Sequence, residues 1–362
     1  MSQETNMVAA PAGPAALAGP ALKALRPIGM AIAPVLAALC AGGLVLLALG
    51  VNPLDYYAFV VERGLLRPRG LQETFTRTIP LMMLGSALII SFRAGIWNLG
   101  VDGQFVLGTF AAAAAAPVLV PLFPNGPGLV MCMVLGMAVG AAWTVVPALL
   151  RAYQGINEVI STLMMTFVGT ALSAAMIKLF FRDGSLTEPQ TRAIPVDLRL
   201  PQMFGTTVNV GILIAFAVLI GTHLMMTRTA LGLRFQVLGA NPRAAAHAGF
   251  SVPKLTILVL GLSGALAGLG GATEMLGVLG KMHADWNPGY GFTVVPLVFL
   301  ARMNGWAVIG FIFAFSVLDI GSESAAIRMG VPQYFNMVLI GFILIFLALV
   351  EYLDQRRLWR TV

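Results

Sequence analysis

Apolar residues run along this chain in blocks of about twenty, separated by short polar or glycine-rich stretches. That length suits helices that cross a bilayer rather than the two-residue alternation of half-buried strands. Blocks at 28–50, 76–92, 104–121, 128–150, 156–181, 208–226, 256–279, 292–302, 305–322 and 335–353 predict ten spans, with both chain ends on one side. The eighth is too short to cross alone and borrows length from the irregular stretch before it. The ten-residue alternating segments of a membrane β-barrel are absent. The expectation is an all-α polytopic membrane protein of about ten transmembrane helices.

The flanks follow the same pattern. Residues 1–27 are rich in Ala and Pro and read as a disordered cytoplasmic tail ending at Lys23 and Arg26. Residues 28–353 read as the transmembrane domain, and 354–362 as a basic cytoplasmic tail. The run 28–50 is too long for a signal-peptide core and is taken as a retained span.

Composition sharpens the class. Apolar residues make up 58% and charged residues 10% of the 362, whereas a soluble domain carries roughly a quarter charged residues. Mean hydropathy is +0.88. The net charge of +7 needs no nucleic acid, because Lys and Arg gather in cytoplasmic loops during membrane insertion. The bias across the loops is modest and favours both termini in the cytoplasm. Cys40 and Cys132 sit inside apolar runs and read as small packing residues, so no disulfide framework or metal spacing exists. Gly136–Gly140 and Gly264–Gly268 are GxxxG patterns, which let helix backbones approach closely, within or between subunits.

Two stretches interrupt the apolar pattern where interruptions are costly. The first, Ser91 to Gln104, carries three glycines together with Asn98, Asp102 and Gln104. Such breaks form solute sites in many transporters, since irregular backbone at depth must be buried or line a watery cavity. The competing reading makes Asp102 a simple cap of the next helix, with Arg93 anchoring at headgroups. The second, Gly280 to Phe292, is rich in glycine and aromatics. Trp286 and Tyr290 are expected at an outer mouth, stacking on a solute or forming an interfacial belt. Ionisable residues inside spans are functional candidates by default; they are Glu158, Lys178, Glu274, Asp319 and Glu323.

The hydrophilic loop 227–255 carries its own helix signals. Asn241 is an N-cap, Pro242 suits the first helical position, and Gly249 supplies a left-handed stop. A helix of about two turns is too short to stand alone in water, so its specification at a basic loop points to a docking partner or to a structured connector. No catalytic motif accompanies it. Lys281 lacks the rest of a phosphate-binding loop, Gly261 to Ala265 misses a nucleophile elbow, and His223, His247 and His283 are isolated. No metal or ATP site is expected in this chain, and energy for pumping has to come from another.

The run Phe92-Arg93-Ala94-Gly95-Ile96-Trp97-Asn98-Leu99-Gly100-Val101-Asp102-Gly103-Gln104 resembles the signature of ABC-importer permeases for simple sugars and nucleosides, usually F-R-A-G-[LV]-F-N-I-G-x-E-G-Q. Gly155 to Thr162, Gly239 to Phe250 and Pro288 to Phe292 are similar to three further signatures, in the family's order, over residues 76 to the C-terminus. Trp97 stands for the usual Phe and Asp102 for the usual Glu. The resemblance implies a type II importer-like fold with inverted repeats, in the longer permease of a nucleoside-type system of a bacterial plasma membrane. It implies a second, shorter permease, a tandem-domain ATP-binding subunit that holds and hydrolyses the ATP, and an extracytoplasmic binding protein or lipoprotein that delivers solute. On this reading Asn98, Asp102, Gln104, Asn157, Glu158, Glu274, Trp286 and Tyr290 attend the solute path. Asn241, Pro242, Arg243, Ala246 and Gly249 form the ATPase-coupling element. An ion-coupled carrier using Glu274, Asp319 and Glu323 is the alternative.

Overall fold

The helices begin where the sequence supplies a proline or a small polar cap. The computed structural model describes residues 20–124, 126–184, 187–332 and 335–359. Within these, α1 spans Pro20–Ala48, α2 Pro53–Val61, α3 Pro68–Arg93, α4 Val101–Leu122, α5 Pro127–Trp143, α6 Val145–Gln154 and α7 Glu158–Met176. Then follow α8 Gly211–Arg228, α9 Ala230–Ala240, α10 Pro242–His247, α11 Val252–Glu274, α12 Tyr290–Leu300, α13 Gly305–Met329 and α14 Phe335–Trp359. Proline opens α3, α5 and α10, where its missing N–H is not needed. Side-chain oxygens of Asn157, Thr229 and Asn304 cap α7, α9 and α13 by accepting from Val159, Gly232 and Trp306 N–H groups. Among the described residues there are isolated bridges but no strand.

The chain divides into two compact units. The smaller comprises residues up to Pro53 together with those from Tyr334 onward, and the larger runs from Leu54 to Gln333. In the smaller, α1 packs along α14. The larger is organised around α3 and α11, which are covered by protein on most sides. Ile79 and Leu81 to Ile90 are nearly all inaccessible, with α8, α11, α12 and α13 packed around them.

The two GxxxG patterns meet each other inside this unit. A Cβ added at Gly268 would lie 2.9 Å from the Gly136 carbonyl carbon and 3.1 Å from Gly140 Cα, and one at Gly264 would strike the Gly140 carbonyl. Gly108 of α4 presses on the Gly268 backbone as well. Backbone-to-backbone approach of this kind is what small residues provide where lipid gives helices no hydrophobic drive to associate.

Seven helical stretches among the described residues are long and apolar enough to cross a membrane, or eight if Ile32–Ala48 and Pro53–Leu66 count as one broken span. Every block read from the sequence is helical. The eighth is α12, whose eleven residues reach about 16 Å at 1.5 Å per residue, half a bilayer. α3 starts at Pro68 rather than at residue 76, because Arg69, Glu73 and Arg77 make its first turns polar without ending the helix. α1 starts at Pro20, inside the stretch read as a tail; residues 1–19 and 360–362 lie outside the described residues.

Candidate functional site

Both interruptions of the helical pattern lie inside the larger unit, and they converge. In the first, α3 stops at Arg93, Gly95 takes φ +69°, and α4 starts only at Val101. The segment's own side chains satisfy this irregular backbone. Asn98 Nδ2 donates to Gln104 Oε1 at 3.0 Å, and Gln104 Nε2 returns a bond to Asn98 Oδ1 at 3.1 Å. Asn98 Nδ2 also donates to Ser263 Oγ at 2.9 Å, and that hydroxyl donates to the Ala87 carbonyl at 2.9 Å. The Leu99 N–H donates to Thr162 Oγ1, and Thr166 Oγ1 donates to the Leu99 carbonyl, both at 3.2 Å. Asn98 and Gln104 are 0% and 1% exposed. Together with the Leu99 backbone they lock the break to α3, α7 and α11, and they do not line the cavity described below.

The second interruption runs from Gly280, with φ +67°, to Gly289, with φ +68°, after which α12 begins. The first turns of α4 and α12 meet here. Asp102 Oδ1 accepts the Gly291 N–H at 2.8 Å, with the Asn287 side chain also against it. Asp102 is therefore not a side-chain cap of the helix that follows it, contrary to the competing reading; it serves the first turn of a helix 189 residues along the chain. A carboxylate at a helix N-terminus satisfies a free N–H and favours the dipole. Gly291 has to be glycine, because an added Cβ would stand 2.8 Å from both the N and Cβ of Asp102.

Beside these two breaks opens a cavity of about 990 Å³. Its walls come from α3, α13, the π-helical turn Met275–Leu279 that follows α11, and the loop 196–207. Arg77 of α3 dominates the interior. Its Nη1 donates to Tyr290 Oη at 2.6 Å, its Nη2 to Glu323 at 2.7 Å, and its Nε pairs with Asp319 at 3.4 Å. The guanidinium also lies 5.4 Å from the Tyr290 ring centroid, within cation–π range. Glu274 is buried beside both. Trp286 lines the same space and packs 6.0 Å from Phe105. Nearer the entrance, Arg63 joins α13 to α3 through Ser324 at 3.1 Å and Glu73 at 3.0 Å. Four arginines (63, 69, 77 and 199) and four carboxylates (Glu73, Asp197, Glu274 and Glu323) line the cavity, so it carries no formal net charge.

Of the eight residues read as attending a solute path, the structure brings Glu274, Trp286 and Tyr290 together on this cavity. Asn98, Gln104 and Asp102 are buried in the breaks. Asn157 caps α7, and Glu158 pairs with Arg151 at 3.2 Å across the α6–α7 junction; neither lines the cavity. Asp319 and Glu323, the carboxylates offered to an ion-coupled carrier, are held by Arg77. Arg77 itself escapes the sequence reading because it falls at the edge of an apolar block. Pro68, a helix-starting proline nine residues earlier, is the signal that puts it well inside α3.

The far end of α8, whose eighteen residues span about 27 Å at 1.5 Å each, carries α9 and α10. Asn241 Oδ1 accepts from the Arg243 N–H at 3.0 Å and the Ala244 N–H at 3.1 Å, Pro242 opens α10, and Gly249 follows with φ +83°. Arg243 and Ala246 lie within α10, and Arg243 is exposed. The short helix expected there is present, and α9, read from the sequence as loop, leads into it. α9 is not isolated. A Cβ at Gly95 would come within 2.9 Å of Gly239 Cα, so the α9 backbone rests directly on the α3–α4 break. Beside that contact, Trp97, Phe92 and Phe299 cluster at centroid distances of 5.0 to 5.3 Å, with Phe92 and Phe299 stacked.

A protein-family model described as the permease component of branched-chain amino acid transport systems matches residues 70–348. A glucose ABC transporter permease protein of Haloferax volcanii is 33% identical over 341 residues, covering 91% of this chain and 89% of its own. A nucleoside ABC transporter permease protein of Lactococcus lactis subsp. cremoris is 30% identical, covering 85% and 86%. A guanosine ABC transporter permease protein of Bacillus subtilis is 26% identical, covering 90% and 94%.

Proposed function

This chain belongs to the permease-component family of branched-chain amino acid transport systems, and from that premise we propose that it forms one half of the membrane path of an ATP-driven importer for a neutral nucleoside or simple sugar. The observation that carries the solute reading is the cavity. It is large enough for a small polar solute, its four arginines balance its four carboxylates, and it presents two aromatic side chains among hydrogen-bonding groups. Ionic solutes gain nothing from a balanced lining, whereas a ring with hydroxyl groups finds both stacking and polar partners. The names of the relatives, which span glucose, nucleosides and guanosine, support the same class.

On this reading the cavity is this chain's share of the extracytoplasmic vestibule, and both termini are cytoplasmic in a bacterial plasma membrane. A second, shorter permease completes the path. α10 docks in a tandem-domain ATP-binding subunit, where all nucleotide chemistry takes place, and Arg243 projects toward it. A binding protein or lipoprotein brings the solute. ATP binding moves α10; Gly239, two residues before its cap, pushes on Gly95 and so reaches both breaks. Switching of access requires only that nucleotide stabilise one arrangement more than the other.

Uptake by the reconstituted transporter tests the solute assignment. Stacking on an aromatic contributes about 1–3 kcal/mol per base, so Trp286→Ala should raise the KM for the transported nucleoside or sugar about tenfold, and Trp286→Phe should restore most of it. An unchanged KM in Trp286→Ala removes the cavity from the path.

A further inference from the structure

Residues 201–210 form a hairpin at the mouth of the cavity. Gln202 and Asn209 bridge its stem, Val210 N–H donates to the Pro201 carbonyl at 2.9 Å, and Met203 N–H donates to Val208 at 2.8 Å. The tip is a four-residue turn closed by the Thr206 N–H on the Met203 carbonyl at 2.9 Å, and both central residues are left-handed, Phe204 at φ +52° and Gly205 at φ +67°. Two successive left-handed residues are the signature of a type I′ turn, whose first central position favours Asn, Asp or Gly. A bulky aromatic there is an outlier. Nothing in the fold repays it, because Phe204 is 92% exposed, the most exposed large apolar side chain among the described residues.

The hairpin is nonetheless fixed. Gln72 Oε1 of α3 accepts both the Thr207 N–H and the Thr207 hydroxyl at 3.1 Å. At the other end of the stem, buried Asn209 accepts the Gly211 N–H at 2.9 Å. Gln202 and Thr207 line the cavity, as do the exposed Val196 and Ile327, 70% and 85% accessible. Val196 and Ile327 thus add apolar side chains to a cavity that Asp197, Arg199 and Arg69 also line.

We propose that Phe204 is the anchor by which the solute-delivering protein docks, with Val196 and Ile327 extending the apolar contact. Aromatic side chains are enriched at the cores of protein interfaces, and a preorganised support leaves little ordering cost to be met on binding. Position at the entrance of the hollow favours the delivering protein over other partners, since solute has to pass from one to the other there. The inference rests on the importer reading above.

The test uses the complete transporter in nanodiscs with its own solute-binding partner. Phe204→Ala should weaken association of the binding protein at least tenfold and lower uptake at limiting binding protein, with basal ATP hydrolysis unchanged; Phe204→Tyr should restore association. Equal affinity in Phe204→Ala and wild type overturns the proposal. Phe204→Trp gives an independent readout. Its fluorescence should shift when binding protein is added and ignore brominated lipid, and quenching by the lipid with no response to the protein overturns the proposal in favour of a membrane contact. Wild-type uptake that does not depend on binding protein at all would instead overturn the importer reading on which it rests.

Discussion

The seam of α11 offers two identical substitutions, seven residues apart on one helix, with opposite expected signs. At Gly268 a new methyl meets backbone: Gly136 C at 2.9 Å, Gly140 Cα at 3.1 Å and the Gly136 carbonyl oxygen nearer still. Backbone atoms have no rotamer to escape into. Carbon contacts are most favourable near 3.5–4.0 Å, so α11 and α5 must part by roughly 1 Å, and a gap of that size forfeits up to half of each well of about 0.1–0.2 kcal/mol. Overpacking of this kind costs about 2–3 kcal/mol. The better helix propensity of alanine returns about 1 kcal/mol, leaving a net destabilisation of about 1–2 kcal/mol. At Gly261 nothing lies within 4 Å, so the same exchange keeps the propensity gain alone. Melting curves followed by size-exclusion of the detergent-solubilised chain should rank Gly261→Ala at or above wild type, Gly268→Ala below it, and Gly268→Val lowest. Equal melting temperatures for Gly268→Ala and Gly261→Ala would refute the close approach of α11 to α5.

Other expectations follow from single contacts. Asn241→Ala removes two cap bonds and about 1 kcal/mol from a six-residue helix, so solute-stimulated ATP hydrolysis should fall severalfold, with Asn241→Asp near wild type. Asp102→Ala leaves the buried Gly291 N–H without its acceptor, a cost of about 1–3 kcal/mol; Asp102→Asn retains the acceptor and should recover most of the lost melting temperature. Gly95→Ala places a Cβ at φ +69° against the Gly239 backbone, so transport per ATP hydrolysed should drop while the ATP-binding subunit still co-purifies.

Much of this was legible in the sequence because bilayer thickness imposes it. Apolar blocks, GxxxG patterns and the Asn241-Pro242 cap each encode local physics, and the structure realises each of them close to where it was read. Pairings at long separation were not legible. Asn98 and Gln104 look like solute ligands because intramembrane polar residues usually serve function, yet Ser263, which explains Asn98, lies 165 residues away. Asp102 reads as a cap, but no local pattern reveals that α12 is the helix it caps. Arg77 was hidden by hydropathy: a positive charge near a block edge looks like loop, and only three acceptors from α12 and α13 account for its place inside α3. α9 was missed because its eleven residues, though mostly apolar, are too few to cross a bilayer and are flanked and interrupted by Arg228, Arg234 and Arg243.

The central claim is that this chain works as part of an ATP-driven assembly, and its most direct test is affinity purification of the tagged protein from its native membrane, with mass spectrometry of what accompanies it. The account predicts a tandem-domain ATP-binding subunit and a second permease in stoichiometric amounts, both retained in wild type and the ATP-binding subunit lost in Arg243→Glu. Recovery of the chain alone, with transport in proteoliposomes that is indifferent to ATP, would contradict it.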